Sequence, residues 1–128
     1  MIVNGTPFIR IVIFNPLLNT RYPEEGSVLA VVDTGYEGFV AVPKDIFEKL
    51  RFNEMLLHKS TIVFPIGIVV HTTYTYGTVL LKDFNFEVEG PIETIDGLAE
   101  VIVGQDLLKY CKLEIDYCRR ILSIEPCQ

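Results

Sequence analysis

The sequence predicts an all-β domain, either a barrel or a sandwich. Three observations carry that expectation. Apolar stretches are short, of strand length, and rich in β-branched and aromatic residues. Pro, Gly and Asn punctuate them at close intervals. Only two short segments have helical character, too few for alternating βα units.

The elements follow in chain order. Phe8-Ile9-Arg10-Ile11-Val12-Ile13-Phe14 reads as a strand that Asn15-Pro16 closes. A polar segment then runs to Glu24-Glu25-Gly26. Ser27 to Val32 is continuously apolar after its serine, as expected of a strand buried on both faces. Phe39 to Val42 is a further strand, stopped at Pro43. Pro43 to Leu50 predicts a short helix, because proline suits a first turn and Ile46, Phe47 and Leu50 share one face. Thr61 to Phe64 and Ile68 to Leu81 form the arms of a long hairpin around Pro65-Ile66-Gly67. Phe84, Phe86 and Val88 alternate on one strand face, and Val101 to Val103 is a buried strand. Gly104 to Tyr110 is expected to be helical. Leu113 to Asp116 and Arg120 to Ile124 close the chain as a hairpin.

Composition narrows the function classes. The 128 residues fit one domain, taken as residues 1–128, and 49% hydrophobic content supplies a sizeable core. A net charge of −6 argues against a nucleic-acid partner, which needs a basic face. Lys109, Lys112, Arg119 and Arg120 are read as a solvated edge. No apolar run approaches membrane-span length, and Met1-Ile2-Val3-Asn4-Gly5 is not a secretory signal, so a cytoplasmic location without membrane contact is expected. Cys111, Cys118 and Cys127 include no CxxC pair, and His58 and His71 lack ligand-like neighbours. No metal site or cofactor is expected, and the three thiols are read as inert. His71, Tyr74 and Tyr76 are read as ordinary strand residues.

Asp33-Thr34-Gly35 follows the apolar strand Leu29-Ala30-Val31-Val32. Such a strand delivers a carboxylate at its end, where the chain turns. Glycine lets main-chain N–H groups approach that carboxylate, and threonine adds a bridging hydroxyl. A lone Asp-Thr-Gly is ordinary turn chemistry. A second block, Val101-Ile102-Val103-Gly104-Gln105-Asp106-Leu107-Leu108, gives it weight.

The two blocks together resemble the retropepsin-like aspartic peptidases, over roughly residues 27 to 125, with the candidate flap hairpin between them. The continuation Tyr36-Glu37-Gly38 is closer to stand-alone prokaryotic members than to retroviral ones, which place a small residue at Tyr36. The resemblance implies a small closed all-β barrel with a flap hairpin and two short helices. It implies catalysis by Asp33, with Thr34 bonding across a dimer and Gly35 N–H supporting the carboxylate. Tyr36 and the flap residues Ile66, Gly67 and Ile68 would contact a peptide or protein substrate. Within one chain, Asp96-Gly97 lacks the hydroxyl residue, and Asp106 near a helix start reads as a capping group. The second catalytic carboxylate is therefore expected from a second copy, which makes a homodimer part of the reading. The alternative is a non-proteolytic relative that keeps the fold as a peptide-binding or dimerisation module.

Overall fold

A computed structural model describes residues 1–63 and 66–127. Eleven strands account for most of it: β1 (Ile2–Val3), β2 (Thr6–Asn15), β3 (Thr20–Tyr22), β4 (Val28–Val32), β5 (Val40–Val42), β6 (His58–Val63), β7 (Val69–Leu81), β8 (Phe86–Thr94), β9 (Ile102–Val103), β10 (Cys111–Asp116) and β11 (Ile121–Pro126). Two short helices interrupt them, α1 (Lys44–Lys49) and α2 (Gln105–Leu108).

Strand pairing closes a small barrel. Around the ring, β2 pairs β4, then come β9, β5, β8 and β7, and β7 returns to β2. Closure is possible because β2 is long enough to serve two neighbours. Phe8 to Ile11 pair with β4, and Ile11 to Phe14 pair with β7. Along β2 the period-two pattern turns Ile9, Ile11 and Ile13 into the core. Val40, Val42, Val79, Ile92, Val103 and Leu107 meet them there, all fully buried. A closed ring leaves no bare edge along these strands.

The first 26 residues, which lie outside the two motif blocks, contribute β2 to the ring, and it covers the strand expected at Phe8 to Phe14. They also form a two-residue hairpin turn at Asn4-Gly5, where both residues take positive φ. The polar segment after Asn15 contains the short strand β3, paired back on β2. Its entry is fixed by Asn15, a buried polar residue whose Nδ2 donates to Leu50 O at 2.9 Å.

Helix α1 matches its expected extent within a residue at each end, and Ile46, Phe47 and Leu50 are buried together. Helix α2 is shorter than the expected Gly104 to Tyr110, because the chain turns at Leu107–Tyr110 and enters β10 at Cys111. β8 runs past the expected Val88 to Thr94, through Pro91. Proline is tolerated there because β8 pairs with β5 only from Ile92 onward. Phe84 stands in a single 3-10 turn before β8 rather than in the strand. The final hairpin, β10–β11, forms a separate two-stranded sheet whose Leu113, Leu122 and Ile124 pack on the core. Among the described residues, no helix is long and apolar enough to cross a membrane.

Phe52, in the turn after α1, is completely buried and lies 5.4 Å from Phe47 between ring centroids. Its ring fills the space over Gly77, where an added Cβ would come within 2.7 Å of it. Phe52→Ala should therefore leave a cavity that the backbone at Gly77 cannot close. The expected loss is about 3–5 kcal/mol in chemical denaturation.

Candidate active site

The site begins at the end of β4. Parallel pairing of β4 with β9 puts Val32 beside Val103. It continues one residue further through Asp33 N–H, which donates to Val103 O at 3.0 Å. The buried strand ends there, and the Asp33, Thr34 and Gly35 side chains and backbone emerge exposed. Gly35 N–H donates to Asp33 Oδ1 at 3.0 Å, and Tyr36 N–H to Asp33 O at 3.1 Å. The carboxylate is thus oriented by its own loop and open on its outer side.

The second sequence block holds this loop from beneath. Gly104 N–H donates to Phe39 O at 3.0 Å, Gln105 N–H to Tyr36 O at 2.8 Å, and Asp106 N–H to Gly38 O at 3.1 Å. The Gln105 side chain adds a bond from Nε2 to Thr34 O at 2.7 Å. A Cβ on Gly104 would fall within 2.5 Å of Tyr36 O and closer still to Gly38 O, so only glycine lets α2 approach. Asp106 does not cap α2. It is exposed and pairs with Lys109 at 3.6 Å.

A cleft of about 910 Å³ opens beside Asp33. Gly35, Tyr36 and Glu37 line one side. Ser60, Ile62 and Val70 from the flap arms line the other. Among the expected substrate contacts, Tyr36 borders the cleft. Ile66, Gly67 and Ile68 do not: they stand exposed at the hairpin tip, with Ile66 80% exposed. The arms form the wall instead, because the strands extend to Val63 and from Val69. Phe64 and Pro65, also part of the expected flap, lie outside the described residues. Asp96 is exposed and borders the cleft from the loop after β8.

Tyr36 turns inward across the loop and its ring covers Gly38, where an added Cβ would lie within 2.7 Å of Cε1. Its hydroxyl donates to Glu93 Oε1 in β8. The other oxygen of Glu93 accepts from the buried Thr72 hydroxyl in β7 at 2.6 Å. Glu93 therefore joins the Asp33 loop to the strand that carries the flap. Burial first, and the Glu93 carboxylate second, push the Tyr36 phenol far above its ordinary value of 10.0.

Sequence reasoning missed Thr72, Glu93 and Gln105 as supports of the site. Gln105 lay within a recognised block, but nothing in the sequence paired it with Thr34 O. Thr72 and Glu93 are 21 residues apart, and only the β7–β8 register brings them together. Elsewhere, burial and then the neighbouring Cys127 push the Cys111 thiol up to about 11, so it carries little thiolate at neutral pH. Among the described residues, no three His, Cys, Asp or Glu side chains gather as a metal-ligand set.

Comparison with known proteins places the chain more closely. No protein-family model matches it. A protein of Archaeoglobus fulgidus, described as uncharacterized, is 46% identical over 127 residues, which span 99% of both chains. Among solved structures, the EIAV protease complexed with the inhibitor HBY-793 superimposes with a TM-score of 0.56 at 17% identity. The match covers 84% of this chain and 88% of that one. At that identity the likeness is one of fold, and the fold is retropepsin-like.

An alkaline titration tests the Tyr36 environment. An unfolded phenol ionises near pH ~10, whereas folded Tyr36 holds its proton beyond that. The unfolded chain therefore releases this proton first, so the stability from Tyr36 is present below pH ~10 and lost as pH rises above it. Of six tyrosines, Tyr36 should ionise last. Tyr36→Phe should delete that last component from the ultraviolet titration and weaken the alkaline fall in stability.

Proposed function

We propose that this chain, which belongs to one family with the Archaeoglobus fulgidus protein, is an aspartic endopeptidase that works as a homodimer. The observation that carries this reading is Asp33 itself. Its carboxylate sits at the end of a buried strand, is oriented by Gly35 N–H, and opens onto a cleft large enough for a peptide. The retropepsin-like fold supports it.

The chemistry needs two carboxylates, and the loop of one chain offers one Asp-Thr-Gly. Asp33 of a second copy supplies the other, brought face to face by the exposed loops 33–35. Two carboxylates so close share one proton, because both cannot carry charge side by side. They then titrate as a pair. The ionised member takes a proton from a water held between them. The protonated member donates a hydrogen bond to the scissile carbonyl. Water oxygen attacks the carbonyl carbon, and the tetrahedral intermediate collapses as the leaving nitrogen is protonated. No covalent bond to the enzyme forms.

Thr34 is assigned a positioning role. Its carbonyl is held by Gln105 and its exposed hydroxyl is available to the opposite loop. Tyr36 fills the floor beside Gly35, so the adjoining part of the cleft suits small substrate side chains. The flap hairpin would close over the peptide and exclude water. The tip residues Ile66, Gly67 and Ile68 keep their assignment as substrate contacts in that closed arrangement.

Asp33→Asn is the direct test. The substitution is isosteric and keeps an oxygen for Gly35 N–H, so fold and association should be preserved while cleavage of a peptide library falls by at least about a thousandfold. A variant that cleaves as well as the parent would exclude Asp33 as the catalytic group.

A further inference from the structure

The β6–β7 hairpin has two chemically distinct faces. Cross-strand partners share a face, so the pairing of Ser60 with Thr72 and of Ile62 with Val70 assigns these residues to the cleft side, with Glu93 across from Tyr74. Lys59 with Thr73, and Thr94 beside Thr73, belong to the opposite face, as does His71, whose partner Thr61 also borders the cleft. A second, smaller cavity of about 260 Å³ lies against that outer face. Its rim carries Lys59 and His71 from the hairpin and Lys44 from α1. Thr73 and Asn53 add polar groups, and buried Phe47 lies at its floor.

Three basic side chains from three elements converging on one cavity is unexpected in a chain of net charge −6. Asp96 is the one acidic residue on the rim. Among the described residues, the ion pairs take neither Lys44 nor Lys59. Lys59 instead donates to Thr73 Oγ1 at 3.1 Å, and Thr94 Oγ1 donates to Val42 O at 3.0 Å. The cavity thus presents ammonium, imidazole and amide donors with a single carboxylate against two lysines. One water takes a share of roughly 30 Å³, so the space admits a tetrahedral oxyanion with part of its hydration.

We infer that this cavity is a binding site for a phosphate group, on the face of the flap hairpin turned away from the cleft. The bound group bridges Lys44 of α1 to Lys59 and His71 of the hairpin, and so ties the base of the flap to the body of the barrel. This inference stands independently of peptidase activity.

The probe is inorganic phosphate, titrated at constant ionic strength against chloride and followed by backbone amide NMR shifts and by calorimetry. Saturable binding is expected, with the largest shifts at residues 44, 59, 71 and 73. The exposed pair Lys44→Gln/Lys59→Gln should weaken it at least about tenfold, whereas Lys112→Gln in the other basic cluster should not. A parallel titration with glycerol 2-phosphate separates the sources. Tighter binding of the ester assigns a phosphomonoester, and equal or weaker binding assigns the free ion. Absence of saturation beyond the chloride control would overturn the inference. So would unchanged affinity in the double variant.

Discussion

The parallel pairing of β4 with β9 is the constraint on which the rest of the site depends. It carries main-chain hydrogen bonding to the residue where the catalytic candidate emerges, through Asp33 N–H to Val103 O. From Val103 the chain turns at once into Gly104 and α2, which return three N–H groups to the loop 36–39. One short crossing thus sets both the position of Asp33 and the shape of the loop around it. Gly104 is the point of closest approach, and a methyl group there would displace the loop rather than merely crowd it.

A second layer joins this loop to the flap. Tyr36 spans the floor to Glu93, and Glu93 holds Thr72 in β7. Hydrogen bonds to a carboxylate are among the stronger ones, and this carboxylate accepts one at each oxygen. The strand that carries the flap is therefore fastened to the loop that carries Asp33. The same hairpin bears Lys59 of β6 and His71 of β7 beside the second cavity, where an anion would act on the hairpin from the other side.

Much of the fold was legible because it rests on local patterns. Ile9, Ile11 and Ile13 alternate in β2, Ile46, Phe47 and Leu50 share a helix face, and the all-β class follows from many short strands. Barrel closure was not legible in the strands themselves, since it depends on β2 serving β4 and β7 together. It came from the family resemblance, and the fold agrees. The run of β8 through Pro91 was not legible because proline's penalty depends on which neighbour a strand has at that point. In the site, Asp33, Gly35 and Tyr36 were legible from a motif and a strand end. Glu93, Thr72 and the Gln105 contact were not, because each depends on register or crossover between distant segments. The flap residues Ile66 to Ile68 were legible only as a turn. A turn signal located the tip, but strand length sets the cleft wall at the arms.

The proposed active site requires two Asp33 loops to meet. One chain exposes Asp33, Thr34 and Gly35 together, and the proposed chemistry needs a second carboxylate that this loop does not contain. Light scattering of the purified protein across a dilution series measures this directly. A mass of twice 14.5 kDa is expected over the concentrations at which peptides are cleaved. A mass of one chain at every concentration would leave Asp33 without its partner and contradict the proposed active site.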